Sequence, residues 1–216
     1  MSEKSLIAAV NRADIEIVKL NFVRGRNEQD MIELAAMHRN WDIVKFLIEK
    51  GVEISQRNLD IACGDGRMDI VKFMFENGYS ETLDSAICEA ARWGHIDIVY
   101  FLMNKGANNY SGAMYFAAGR GHIDIVKLMM ERGATNYNAS IIEAVTFGHM
   151  DIIQLLLAAG ANNYDESLNE AAMYDRLEVV ILMLSKGGKF DPDTHVKNEN
   201  IRVLIKEYMN GKVKIA

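Results

Sequence analysis

An acidic residue returns along this chain at Glu16, Asp42, Asp69, Asp97, Asp124, Asp151 and Glu178, in steps of 26 to 28 residues. Nine positions after each stands a glycine: Gly25, Gly51, Gly78, Gly106, Gly133, Gly160 and Gly187. Seven positions before each stands an alanine: Ala9, Ala35, Ala62, Ala90, Ala117, Ala144 and Ala171. The stretch Gly121–Ala134, GHIDIVKLMMERGA, has near copies at Gly94–Ala107 and Gly148–Ala161. No other feature constrains the fold as much. A unit of about 27 residues cannot bury its own apolar face, so such units stack into a solenoid.

Each unit reads as two helices. Within Ile123–Glu131 the apolar residues Ile125, Val126, Leu128, Met129 and Met130 follow helical rather than alternating spacing. Asp124 lies in the first turn, where a carboxylate favours the positive end of the helix dipole. Lys127 is placed to pair with it on the solvent side, and the same spacing recurs at Glu16–Lys19, Asp42–Lys45 and Asp69–Lys72. Such pairs are worth ~0.2–0.5 kcal/mol each. The glycine nine residues after the anchor is the expected left-handed stop. The first helix is expected to be the shorter. Ten residues before the anchor it carries Leu6, Ile32, Leu59, Ile87, Met114, Ile141 or Leu168, and the alanine follows three residues later. Large then small on one face lets two helices approach closely. Ser111, Asn138 and Asp165, each after a tyrosine, are the expected N-caps of these helices.

The ends differ from the middle. Residues 1–26 read as an N-terminal capping repeat, in which Asn21 and Arg24 replace the leucine and lysine of other units. Residues 27–188 read as six internal repeats and 189–216 as a divergent C-terminal cap, the whole being one domain. In the cap, Asp191–Thr194 holds the only proline, Pro192, and reads as a turn. Ile201, Leu204, Ile205, Tyr208 and Met209 then mark an amphipathic closing helix that Gly211 stops.

At this point the chain resembles the ankyrin repeat family. The carrying residues are the Ala-Ala-x-x-Gly-His-x-Asp-Ile-Val runs at Ala90–Val99 and Ala117–Val126 and the closing Leu-x-x-x-Gly-Ala pattern, over residues 5–189. The fold class expected is an all-α, ankyrin-type helical repeat solenoid of about seven two-helix units with a C-terminal capping helix. Ankyrin units usually run to about 33 residues, open on Thr-Pro-Leu-His and project a β-hairpin. Here the step is shorter and that opening is absent, so short loops are expected in place of long hairpins. The compact step and the Asn-Asn-Tyr connectors are similar to those of ankyrin proteins from large DNA viruses of protists.

Composition and motifs narrow the function. Hydrophobic residues make up 50% and charged residues 25%, enough for a continuous core and too apolar for disorder. A net charge of −6 argues against a nucleic-acid partner, which calls for a basic face. Two cysteines, Cys63 and Cys88, form no disulfide framework, and Cys63 stands at a small core position. The N-terminus lacks the pattern of a signal peptide, and no run approaches the ~20 apolar residues of a membrane span. A cytoplasmic protein is expected, in the host cell if the source is viral. His95, His122 and His149 recur one per unit, along a line, so they read as hydrogen-bonding an adjacent loop rather than as a metal cluster. Catalytic groups must converge, and the recurring polar residues here do not. No enzymatic activity, metal or cofactor is expected.

The residues that vary between units are more informative. In the ankyrin arrangement the first helices line a concave groove, and positions eight and four before the anchor face it. There the chain offers Trp93, Phe116, Arg120, Phe147 and Tyr174, with Arg92 and Met173 beside them five positions before the anchor, interleaved with Glu89, Glu143 and Glu170. Aromatics and arginine are the usual binding hot-spot residues. The reading is a non-enzymatic protein–protein interaction module, a monomer, whose partner is a protein, a host protein if the source is viral. The alternatives are a structural component of an assembly and an adaptor that delivers a client to a degradation machine.

Overall fold

The computed structural model describes residues 3–23 and 27–215, with side chains from residue 7 onward. Arg24 and the first stop glycine, Gly25, lie outside the described residues, as does the side chain of Leu6. The described chain is all helix and turn, without strands, and falls into two compact units, Met1–Asn109 and Tyr110–Ala216.

The first unit holds four helix pairs: α1 (Glu3–Asn11) with α2 (Ile15–Asn21), α3 (Glu28–Met37) with α4 (Trp41–Glu49), α5 (Gln56–Gly64) with α6 (Met68–Glu76), and α7 (Asp84–Arg92) with α8 (Ile96–Asn104). The second holds three pairs and a closing helix: α9 (Tyr110–Arg120) with α10 (Ile123–Glu131), α11 (Tyr137–Phe147) with α12 (Met150–Ala158), α13 (Tyr164–Met173) with α14 (Leu177–Ser185), then α15 (Glu199–Met209). Within each unit first helices pack on first helices: α1 on α3, α3 on α5 and α5 on α7, then α9 on α11 and α11 on α13.

The repeated columns explain this packing. Every alanine of the alanine column is buried, as are Ile32, Leu59, Ile87, Met114, Ile141 and Leu168 one turn earlier on the same face. The second helices bury the apolar stripe and leave the anchor carboxylate outside. In α4, Trp41, Ile43, Val44, Leu47 and Ile48 are buried while Asp42 and Glu49 are exposed. Each fully buried aliphatic side chain contributes roughly 1.5–3 kcal/mol. The first helices are not the shorter ones: α9 and α11 run to 11 residues against 9 for α10 and α12.

The stop glycines act as expected. Gly133 has φ 91° and a Cβ there would meet nothing within 4 Å, so the backbone conformation alone requires glycine. The Ala134 N–H then reaches back to the Met129 carbonyl (3.0 Å), which closes α10 in a Schellman motif. The closing helix also forms as read, with the turn before it held by the Thr194 N–H on the Asp191 carbonyl (3.0 Å).

Two expectations of local pairing are corrected by contacts between neighbouring repeats. The helices α11 and α13 begin at the tyrosines, with Asn136 and Asn163 as N-caps. Ser111, Asn138 and Asp165 instead accept the N–H groups of Thr135, Asn162 and Lys189 in the connector one repeat on (3.3, 2.9 and 2.7 Å). Asn136 and Asn163 donate back to the carbonyls of Ser111 and Asn138 (3.0 Å each). The Asn-Asn-Tyr connectors are therefore stitching between repeats. Likewise, Glu16–Lys19 pairs locally (3.0 Å), but Lys45 reaches Asp69 of the next repeat (3.4 Å). Asp69 is held by Arg67 (2.9 Å) rather than by Lys72.

Candidate functional site

A column of exposed side chains stands at the last turns of the first helices. Arg12, His38, Trp93, Arg120, Phe147 and Tyr174, four residues before the anchor, are exposed; Asp65 in the same column is half-buried. The column eight before the anchor, including Glu89, Phe116, Glu143 and Glu170, is half-buried. A helix ends here because the chain turns at once into its partner, so the last residue has no further turn to cover it.

In the first unit the candidate residues are Arg92 and Trp93. Trp93 is 52% exposed and its indole N–H donates to Glu89 Oε2 (3.3 Å). Arg92 pairs with the other oxygen of Glu89 (3.3 Å). Beside them opens a cleft of about 330 Å³ whose lining includes Arg39, Asp60, Gly64, Asp65, Glu89 and Trp93. Arg39 pairs with Asp65 (2.5 Å). A Cβ on Gly64 would stand 3.2 Å from Trp93 Cδ1, so glycine lets the indole lie against α5.

In the second unit the Arg120 guanidinium lies 5.8 Å over the Phe147 ring, and Phe147 stacks on His149 at 6.4 Å. Phe116 meets Tyr115 edge-on at 5.2 Å. Met173 and Tyr174 are exposed side by side. Two of the interleaved glutamates are engaged within the stack: the Tyr115 hydroxyl donates to Glu143 (2.6 Å), and the Thr146 hydroxyl lies 2.8 Å from Glu170. Sequence reasoning missed that these carboxylates have internal work. It also missed Arg39, Asp60 and Gly64, although Arg39 stands at the inter-helix turn where most units have glycine.

The histidine column is a device for joining repeats. His95 Nε2 lies 3.0 Å from the Gly64 carbonyl, at the end of the preceding first helix. Asn40 does the same to the Val10 carbonyl (2.7 Å), and Arg176 to that of Thr146 (3.1 and 2.9 Å). Each caps a carbonyl in the last turn of a first helix, where intrahelical donors run out; that of Val10 also accepts the Ala13 N–H (3.0 Å). His149 packs so closely on the turn before it that a Cβ on Gly121, itself at φ 80°, would stand 2.8 Å from the ring. Among the described residues, no three His, Cys, Asp or Glu side chains are grouped to hold a metal ion. Cys63 and Cys88 are buried free thiols. Burial raises both, Cys88 being pushed up to about 12.

Paired helices repeated at a near-constant step, with buried columns shared from repeat to repeat, define a helical-repeat scaffold. A family model described as ankyrin repeats (3 copies) matches residues 59–141 and 114–196. The chain belongs to the ankyrin repeat family, whose repeats in general mediate protein–protein interaction. The fold is similar to the ankyrin repeat domain of human ASB11, with a TM-score of 0.59 and 21% identity over 81% of this chain and 96% of that one. A search of curated proteins gave no match. No helix among the described residues is long and apolar enough to cross a membrane.

Proposed function

We propose that the chain is a non-enzymatic binding module that engages a partner protein through the ends of its first helices, on a concave groove. The observations that support this are, in the first unit, Trp93 about half exposed at the end of its first helix and, in the second, Phe147 and Tyr174 about half exposed with Arg120 laid over Phe147. Rings held by packing lose little entropy on docking, and aromatic and arginine side chains supply most binding energy at protein interfaces. The contact residues are Arg92, Trp93, Phe116, Arg120, Phe147, Met173 and Tyr174. The short step and the Asn-Asn-Tyr connectors, similar to those of protist-virus ankyrin proteins, extend the reading to a host-cell protein met in the cytoplasm by a monomer.

The test is affinity capture followed by titration of the captured protein. Trp93→Ala or Phe147→Ala should weaken binding by ~2 kcal/mol or more, about thirtyfold. Lys45→Ala and Lys127→Ala, on the second helices, should change it little. Equal binding by all four folded variants would move the interface off the first helices. Binding only to further copies of the chain would favour a structural role.

A further inference from the structure

The cleft beside Trp93 carries a charge imbalance that identifies its occupant. Three carboxylates line it, from Asp60, Asp65 and Glu89, against the single guanidinium of Arg39. Arg39 answers Asp65, and Arg92, which is not part of the lining, answers Glu89. Asp60 receives neutral donors, the Gln56 amide (2.8 Å) and the Ser85 hydroxyl (2.8 Å). With both arginines counted, a surplus of one negative charge sits beside an indole that is half exposed. At about 330 Å³ the space is at the small end of ligand pockets and suits one side chain rather than a helix.

We propose that this cleft receives one arginine or lysine side chain from an extended, basic segment of the partner protein, laid along the Trp93 indole with its cation turned to Asp60. The proposal rests on the groove reading above and adds the chemistry of the partner. An indole face attracts a cation, and the methylene stem covers apolar surface that a shorter polar residue leaves wet. An apolar occupant would strip water from Asp60 without a counter-charge, and an acidic one would be repelled. The net charge of −6 steers cationic segments toward the chain before contact.

The experiment pans the full chain against phage-displayed random dodecapeptides and synthesises those recovered. The expected result is that binders share an arginine or lysine whose change to glutamine weakens binding at least about tenfold, the scale of a charge-assisted contact. Asp60→Asn and Trp93→Ala in the protein should impose losses of similar size, and rising salt should weaken the parent peptides. Asparagine at position 60 keeps its acceptor oxygen, so the fold is preserved, and circular dichroism checks this. Peptides that depend on Trp93 but tolerate both the glutamine change and Asp60→Asn overturn the basic side chain and leave the groove standing. So do peptides that depend on Phe147 alone. Recovery of no peptide, or of peptides indifferent to both Trp93→Ala and Phe147→Ala, overturns both readings.

Discussion

Arg176 offers a sharp test of how the repeats are joined. It stands in the last helix pair, at the position that histidine holds in the three repeats before it. Its Nε and Nη2 groups both donate to the Thr146 carbonyl, at 3.1 and 2.9 Å, and its stem lies over Gly148. Arg176→Ala removes the donors and leaves a part-buried carbonyl at the end of α11 with less solvent than it needs. A hydrogen bond to a charged group contributes ~1.5–3 kcal/mol, and the partial exposure of this one favours the lower half of that range. The expected loss is about 2 kcal/mol. At roughly 2–4 °C per kcal/mol for a chain of this size, Tm should fall by about 4–8 °C in a circular dichroism melt. Arg176→His should recover much of the loss, because His95 reaches the equivalent Gly64 carbonyl at 3.0 Å with one ring nitrogen. Arg176→Lys should recover less, since a strongly hydrated ammonium on a flexible stem is less readily held to one carbonyl than a planar ring. A loss below about 0.5 kcal/mol for Arg176→Ala, the size of an ordinary surface change, would refute the reasoning. So would a histidine variant no better than alanine.

Further outcomes follow from the core and the charges. Ala117 is fully buried at a close helix approach, and Ala117→Leu should cost ~1–3 kcal/mol by overpacking, read as a lower midpoint in urea. Arg67, chiefly by its hydrogen bond, and then Lys45 hold the Asp69 carboxyl down at about 2. In an unfolded chain it sits at about 3.9, so this stabilisation is present above pH ~4 and lost as pH falls toward ~2. Asp69 is half exposed, so the effect is small, and Asp69→Asn should flatten the acid limb of Tm against pH. Cys63 and Cys88 should resist Ellman's reagent at pH 8 in the native protein and react fully in denaturant; prompt native reaction would show that their burial is wrong.

Much of the fold was legible because a helix face is a local pattern. The alanine column, the bulky residue one turn before it and the stop glycine specify which side is buried and where each helix ends, without reference to any other repeat. Gly51, Gly78, Gly106, Gly133, Gly160 and Gly187 all take positive φ, as a helix stop requires, and the alanine column is buried throughout. The sequence column that holds Trp93, Phe147 and Tyr174 was legible for the same reason, since a column that varies beside columns that do not is visible in one dimension, and each of the three is about half exposed.

What the local pattern does not contain is the offset between stacked neighbours. Ser111, Asn138 and Asp165 carry the right chemistry for N-caps, yet their oxygens take N–H groups 24 residues ahead, because stacking brings the next connector over the helix start. Lys45 is spaced to meet Asp42 and meets Asp69 instead. Asn40, His95 and Arg176 share one task across three side-chain chemistries, which only the carbonyl they reach reveals. The cleft at Trp93 likewise gathers Arg39, Asp60 and Glu89 from three successive repeats. The sequence by itself determined the units, their helical faces and their number; the tertiary structure decided which polar groups meet. Burial follows a short periodicity along the chain, whereas a hydrogen bond depends on a registration between helices 24 to 31 residues apart, which no local window holds.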